Sequence, residues 1–131
     1  MCGASLQLSV DYPDIASPVT SAQNNDTILL DPNASPYTAS NNIDILIYKP
    51  LTIKSSRNTQ SVTIDCAGSK NENHQAFKVV NDGQGTIFKK LTIINGYSDS
   101  GGAIECNDTI VTIMKCNFRY NTSTIKGGQY G

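Results

Sequence analysis

FKKLTIINGYSDSGGAIECNDTIVTIMKCNFRYN, residues 88–121, is the stretch that decides the fold. Within it Leu91-Thr92-Ile93-Ile94 returns twenty positions later as Val111-Thr112-Ile113-Met114, and the pair Gly101-Gly102 lies between them. Two short apolar strands with a glycine turn between them are typical of a chain that winds through stacked coils. The stretch therefore predicts one repeat unit of a longer β-solenoid.

A triplet of a hydrophobic residue, Thr and Ile recurs along the chain and separates two possible folds. Short strands at closely spaced corners fit either a β-sandwich or a parallel β-solenoid. Only in a solenoid do equivalent positions of successive coils meet the same environment and select the same residue types. We therefore predict an all-β, right-handed parallel β-helix of about four to five coils, each of about 20–25 residues. The triplets are Leu51-Thr52-Ile53, Val62-Thr63-Ile64, Leu91-Thr92-Ile93 and Val111-Thr112-Ile113.

The irregular N-terminal residues predict a cap on this solenoid. Ser17-Pro18 indicates the start of a short helix, with Ser as the N-cap and Pro at the first helical position. Such a helix would cover the apolar groups that an open end exposes. We divide the chain into a cap region, residues 1–25, and a parallel β-helix, residues 26–131, whose C-terminal end we expect to be truncated. The apolar side of the helix would carry Ile15, Val19 and Ala22.

Composition and charge favour a turn-rich β protein and argue against several partners. Hydrophobic residues make up 38% and charged residues 16% of the chain, and both shares are low for a globular protein. The net charge is −1 and the densest positive spot is Lys89-Lys90, which argues against nucleic acid and against electrostatic membrane docking. No apolar run has the length of a transmembrane helix. The N-terminus lacks a signal-peptide pattern, so the chain either is not secreted or has lost its leader. We expect the second, a secreted or cell-surface chain whose leader is not present here.

The cysteines leave two interpretations open. The chain has four cysteines, no CxxC pair and one histidine, which argues against a zinc site. Cys66, Cys106 and Cys116 each end a strand-like run. They can serve as small apolar interior residues, or two of them can form a disulfide between neighbouring coils. Spacing alone does not show which Cβ atoms face each other.

A family resemblance is carried by a glycine pair and an asparagine. The run Gly101-Gly102-Ala103-Ile104, followed by Phe118-x-x-Asn121 and a second pair Gly127-Gly128, resembles the repeat of the polymorphic outer membrane proteins. It departs from that repeat at Gln129-Tyr130, where the family has Ala and an aliphatic residue. Residues 25–66 look like the opening coils of the broader pectin-lyase-like superfamily. The resemblance implies an exported right-handed β-helix, often an adhesin or passenger stalk.

The motif has a structural interpretation in each of its parts. Glycine permits a tight turn where a side chain would clash with the adjacent coil. Phe118 can fill the interior, and the amide of Asn121 can bond backbone groups that a sharp corner leaves unpaired. The motif residues therefore build the coil and carry no catalysis. They are Gly101, Gly102, Ala103, Ile104, Phe118 and Asn121.

Several superfamily members cleave or bind acidic polysaccharides through carboxylates, or through Arg and Lys, on one strand face. Here the carboxylates near strands share no spacing, so exposed turn carboxylates are favoured over an active site. We predict no catalytic residue, no cofactor and no metal, and we expect His74 to be a solvated residue of a polar loop. The carbohydrate-site candidates are Asp65, Glu105, Lys115 and Arg119, with Asp99 and Asp108 as further carboxylates.

Three functional hypotheses follow. The first is a non-enzymatic secreted or cell-surface segment, an adhesin-like module or a structural stalk, whose partner is a host-surface protein or a polysaccharide. The alternative is a carbohydrate-binding or polysaccharide-degrading pectin-lyase-like domain whose active site is missing or weakly marked. A concave face shared by Asp65, Glu105, Lys115 and Arg119 would favour it. The third is edge-to-edge self-association through an uncapped C-terminal coil.

Overall fold

The computed structural model describes the backbone of residues 5–7 and the whole of residues 14–99 and 102–123. These residues form parallel sheets wound into a β-solenoid of about 4 turns, with one small helix near the N-terminus. The predicted parallel β-helix is therefore confirmed, at the lower end of the expected coil number. The elements are β1 (Ser5–Gln7), α1 (Ala16–Ser21), β2 (Thr27–Leu30), β3 (Ile45–Ile47), β4 (Thr52–Ser55), β5 (Val62–Asp65), β6 (Phe77–Val79), β7 (Ile87–Lys89), β8 (Leu91–Ile94), β9 (Tyr97–Ser98), β10 (Ile104–Cys106), β11 (Thr112–Met114), β12 (Asn117–Arg119) and β13 (Thr122–Ser123), with 3₁₀ turns at Pro32–Ala34 and Asn81–Gly83.

Three larger sheets and one strand pair form the walls of the described solenoid. Sheet I runs β1-β2-β4-β7-β11, sheet II runs β5-β8-β12, and sheet III runs β3-β6-β10. The remaining pair is β9-β13, and all of the strand pairings are parallel. The first strand of sheet I, β1, lies within residues 1–25, so the sheet reaches into the region predicted as the cap.

The register corrects the repeat on which the sequence interpretation began. Leu91–Ile94 lies in sheet II, where Thr92 pairs with Asn117. Thr112–Met114 lies in sheet I, where Thr112 pairs with Ile87. Both pairings span 25 residues, so the apparent repeat of twenty aligns strands of two different sheets. The four triplets are therefore not all equivalent, although Val62-Thr63-Ile64 and Leu91-Thr92-Ile93 do stack in register.

Alternating inward side chains form one core, as the sequence pattern predicted. Ile43, Ile45 and Ile47 are at most 5% exposed, and Leu51 and Ile53 at most 1%. Inside the coil the Phe77 and Phe88 rings lie 4.8 Å apart between centroids, close to the favoured spacing of aromatic pairs. The inward residues of the last described coil are only partly buried against this core: Cys106, Val111, Ile113, Cys116 and Phe118.

Sharp corners between the walls use single residues in the left-handed conformation. The φ angles are +59° at Lys90 and +53° at Lys115, which join sheet I to sheet II in successive coils. At the other end of sheet II they are +59° at Asn95 and +60° at Tyr120. A non-glycine residue pays a steric cost at such angles. Among the described glycines only Gly85 has a positive φ, so the corners do not rest mainly on glycine.

The N-terminal helix forms, but its start differs from the predicted one. Helix α1 begins at Ala16, and the Asp14 carboxylate, at 2.9 Å, accepts a hydrogen bond from the Ser17 N–H. Ser17 is therefore a residue of the first helical turn, with its amide bonded by Asp14, and the prediction of Ser17 as the N-cap is wrong. At the other end Lys49 Nζ donates to the carbonyls of Thr20 and Ala22 at 3.1 and 2.5 Å. The predicted apolar side is confirmed: Ile15, Val19 and Ala22 are all buried.

The polar loop at residues 67–75 lengthens one coil. From Thr52 to Ile87 sheet I advances 35 residues, against 25 from Thr27 to Thr52. Sheet II advances only 29 residues from Val62 to Leu91, so six of the ten extra residues belong to the turn at residues 56–61 and the others to the part of the coil that contains the loop. The loop contains a small antiparallel turn at Ser69 and Glu72. It is also tied to the next coil, because His74 and Tyr97 exchange both backbone hydrogen bonds at 2.7 and 2.8 Å.

Candidate functional site

The four carbohydrate-site candidates lie on separate parts of the solenoid. Asp65 and Arg119 share a column of sheet II, with Ile94 of the intervening strand between them. Lys115 lies at the corner between sheets I and II, and Glu105 lies on β10 of sheet III. The structure therefore brings Asp65 and Arg119 to one wall and leaves Glu105 on another.

The two candidate carboxylates have structural partners in neighbouring coils. Asp65 Oδ1 accepts hydrogen bonds from the Ala67 N–H at 2.9 Å and from Asn95 Nδ2 at 3.0 Å. Glu105 accepts from Gln75 Nε2 at 3.2 Å and lies 3.8 Å from Lys78 Nζ. Asp65 thus closes its own corner and binds the next coil, and Glu105 binds the preceding coil.

The glycine of the motif is placed where no side chain fits. A Cβ atom on Gly102 would lie 2.7–2.8 Å from the backbone of Thr122 in the following coil. A Cβ on Gly96 would overlap the carbonyl group of Gly102. The expected clash with an adjacent coil is therefore present at Gly102, whereas Gly101 lies outside the described residues. Ala103 and Ile104 are fully buried.

Asn121 closes the coil in the way its amide predicts. Its Oδ1 accepts a hydrogen bond from the Gly96 N–H at 2.8 Å, and its Nδ2 donates to the Ile93 carbonyl at 2.9 Å. Both partners belong to the preceding coil. The side chain therefore satisfies one donor and one acceptor that the corner after β8 leaves unpaired.

A cluster of lysines, which the linear sequence conceals, is the strongest candidate for a binding site. Lys54 of β4 and Lys89 of β7 pair directly in sheet I, so their backbones are about 4.8 Å apart. The next two lysines, Lys90 and Lys115, occupy the same left-handed corner in successive coils. We name the four lysines, together with Asn58 of the preceding turn, the basic corner.

No described carboxylate neutralises the basic corner. Among residues 14–99 and 102–123 the ion pairs are His74–Asp44 and Lys78–Glu105, and neither involves these lysines. Like charges directly opposite each other in a sheet are destabilising. In contrast, the ammonium groups of Lys49 and Lys78 have partners within the chain, the Ala22 carbonyl and the Glu105 carboxylate. The corner therefore concentrates positive charge that no ion pair of the described fold neutralises.

The basic corner is concave. Asn58, Lys89, Lys90 and Lys115 line a depression of about 290 Å³, near the lower end of the range for small-ligand sites. The turn at residues 56–61, which carries Asn58, replaces the single-residue corner found in the two later coils. It is rich in hydroxyl and amide side chains. The depression thus combines ammonium groups with neutral hydrogen-bonding groups.

Sequence reasoning missed the basic corner because its members come from three coils. The lysines are spread over residues 54–115, and only Lys89 and Lys90 adjoin in the chain. The signal was present in the register of 25 residues, which places Lys90 and Lys115 at the same corner. The misaligned repeat of twenty hid that spacing. Lys89-Lys90, the densest positive spot of the sequence, is thus extended in the structure by Lys54 and Lys115.

His74 is not the lone solvated residue that was expected. Its Nδ1 lies 2.6 Å from Asp44 Oδ2, while Asp44 Oδ1 accepts from the Gln75 N–H at 2.9 Å. Asp44 itself has a left-handed φ of +54°. The pair therefore fastens the polar loop to the corner before β3.

The described cysteines form no disulfide with one another and lie in a largely apolar setting. Cys66 is fully buried, and Cys106 and Cys116 are partly buried. Burial, with smaller contributions from Asp44 and Asp65, raises the pKa of the Cys66 thiol to about 12. Burial also raises the pKa of Cys106 and of Cys116. These three residues follow the interior interpretation, and Cys2 lies outside the described residues.

Comparisons with known proteins identify no relative. No protein-family model matches the chain, and neither the curated proteins nor the solved structures contain a significant match. Within the described residues no group of three or more His, Cys, Asp or Glu side chains could hold a metal ion. No helix among them is long and apolar enough to cross a membrane. The resemblance to the polymorphic outer membrane protein repeat stays a prediction.

Proposed function

We propose that this chain is a non-enzymatic segment of a secreted or cell-surface β-helix, an adhesin-like module that also serves as a stalk. One observation carries the proposal: the polar side chains that chemistry would need hold the coils together. Asp65 and Glu105 bond to neighbouring coils or corners, and Asn121 bonds two backbone groups of the coil before it. These side chains stabilise the stack of coils and the corners between the strands.

The resemblance to the polymorphic outer membrane protein repeat supports the same proposal. Exported proteins of that kind use β-helices to present surfaces away from the cell. The described walls suit such a role, because many of their outward positions carry polar or charged side chains over a continuous apolar core, with Leu46 and Met114 among the exposed apolar exceptions. Repeating coils give length and a stable surface without a catalytic cleft.

An assay for polysaccharide cleavage tests the proposal against its enzymatic alternative. The purified chain is incubated with polygalacturonate, alginate and heparin, and new reducing or unsaturated ends are measured. The expected result is no product above a heat-denatured control. Product formation that Asp65→Asn or Glu105→Gln abolishes without unfolding the protein would overturn the proposal and favour a pectin-lyase-like enzyme.

Localisation is tested in the source organism. Antibody against the chain, applied to intact cells and to the culture medium, is expected to detect it on the surface or in the medium. Detection only after cell lysis would contradict the proposed location. Light scattering of the purified chain checks the predicted self-association, for which a concentration-independent monomer would be the contrary result.

A further inference from the structure

We infer that the basic corner is a binding site for a sulfated glycan. The inference rests on the proposed function, because a secreted or surface segment meets polymers outside the cell. It names the partner class that the chemistry of the corner recognises. The first step is charge: Lys54, Lys89, Lys90 and Lys115 are gathered within three coils without a described counter-ion.

The arrangement of the charges favours a chain of anions over a single anion. Lys54 and Lys89 belong to neighbouring strands about 4.8 Å apart, and Lys90 and Lys115 repeat this step at the corner. The lysines thus form two adjacent rows along the solenoid axis. A polymer with regularly placed sulfate groups can contact several of them at once, which raises affinity through multiple weak contacts.

The neighbouring residues favour a glycan over nucleic acid. Single-stranded nucleic acid is usually bound by aromatic side chains on which the bases stack. Among the described residues the depression is lined by Asn58 and by lysines, with no aromatic side chain. The exposed tyrosines Tyr48 and Tyr120 belong to other corners. The Asn58 amide, which lines the depression, is instead suited to sugar hydroxyls.

The shape of the corner favours a glycan over an anionic membrane. The lining lysines surround a concave depression of about 290 Å³, whose floor a flat bilayer surface would not reach. Peripheral membrane binding also draws on apolar side chains that insert between the headgroups. Among the described residues that pair with these lysines, Met114 is a large apolar side chain with 42% exposure, and Leu29, opposite Lys54, is only partly exposed. A narrow, flexible polyanion fits the depression better.

Binding of a heparin hexasaccharide, measured by isothermal titration calorimetry, tests the inference. The wild-type chain is compared with Lys90→Gln and with the combined variant Lys89→Gln, Lys90→Gln, Lys115→Gln. We expect the dissociation constant to rise about fivefold and at least about tenfold, respectively, and to rise steeply with salt in the wild type. Lys70→Gln is the matched control, because Lys70 is an exposed lysine of the polar loop, and its effect should stay below about twofold.

A charge-preserving variant, a folding check and three competing ligands complete the test. The combined Lys→Arg variant at positions 89, 90 and 115 keeps the charge and should retain binding, and circular dichroism checks that every variant folds. Desulfated hexasaccharide, single-stranded DNA of equal charge and phosphatidylserine vesicles should bind more weakly than the sulfated probe. Equal losses in Lys70→Gln and Lys90→Gln, tighter binding of DNA or vesicles, or no binding by the folded wild type would overturn the inference. None of these results bears on polysaccharide cleavage or localisation, so the proposed function fails separately.

Discussion

The strands β8 and β12 each lie between two single-residue corners, and the two ends are built differently. At the C-terminal end the corners at Asn95 and Tyr120 are fastened, because Asn95 bonds Asp65 and Asn121 bonds Gly96 and Ile93. We call this end the amide corner. At the N-terminal end the basic corner carries lysine side chains with no described ion pair.

The difference separates residues that build the coil from residues that face a partner. Both corners use the same strained backbone conformation, so conformation alone does not distinguish them. What differs is the use of the side chains. Side chains of the amide corner bond to the preceding coil, whereas the lysines of the basic corner have no described ion pair and repel one another at an electrostatic cost. Changes at the first should therefore alter stability, and changes at the second should alter binding.

The largest expected effect is at Gly96 in the amide corner. Gly96→Ala should lower the free energy of unfolding by at least about 3 kcal/mol, because the new Cβ would overlap the Gly102 carbonyl and approach Asn121 Oδ1 to 2.9 Å. Urea denaturation measures the change. Gly85→Asn is the control: its φ of +94° tolerates Asn better than most residues, and its nearest neighbour atom is 3.9 Å away. Equal losses in both variants would contradict the close approach at Gly96.

The next effect is the loss of the Asn121 amide. Asn121→Ala should lower the free energy of unfolding by about 1–3 kcal/mol, because the Gly96 N–H and the Ile93 carbonyl each lose their partner. Asn117→Ala is the matched control, since Asn117 is an exposed asparagine on β12, the strand that precedes the Asn121 corner. It should change the unfolding free energy by less than about 0.5 kcal/mol. Similar values for the two variants would remove the distinction between these positions.

These features differ in how well they can be predicted from the sequence. Inward residues such as Ile45, Ile53 and Phe77 follow from the alternation of apolar positions, because a period of two fixes the face of a strand. Asn121 was predictable because a corner needs an amide that both donates and accepts. The basic corner was not predictable in the same way, since it depends on which coil lies beside which. One coil of 35 residues between coils of 25 shifts that alignment.

The free energy of unfolding is expected to depend on pH through Cys66, which lies in the coil before the amide corner. Its pKa is about 12 in the folded chain and about 9 when exposed, so above pH 9 the unfolded state loses a proton that the folded state keeps. The contribution of Cys66 to stability is thus complete below pH 9 and declines as the pH rises, by up to about 1.4 kcal/mol per pH unit. Urea denaturation between pH 8 and 10.5 measures the slope. Cys66→Ala should have a shallower slope, and an identical slope would refute the assignment.

The smallest effect on stability is expected at the basic corner and has the opposite sign. Lys89→Gln should raise the free energy of unfolding by about 0.2–1 kcal/mol at low salt, because it removes the charge opposite Lys54. The gain should shrink at high salt, where the repulsion is screened. Lys78→Gln, which breaks the pair with Glu105, is the comparison and should not stabilise the fold. A loss of stability in Lys89→Gln would mean that the lysine has a structural role.

The most direct test of the two-corner account measures stability and heparin-hexasaccharide affinity together in Asn121→Ala and Lys90→Gln. The account predicts that Asn121→Ala lowers the melting temperature and, well below that temperature, keeps the wild-type affinity. It predicts that Lys90→Gln keeps or raises the melting temperature and weakens binding about fivefold. If either substitution moves stability and affinity downward together, the separation between a structural corner and a binding corner is wrong.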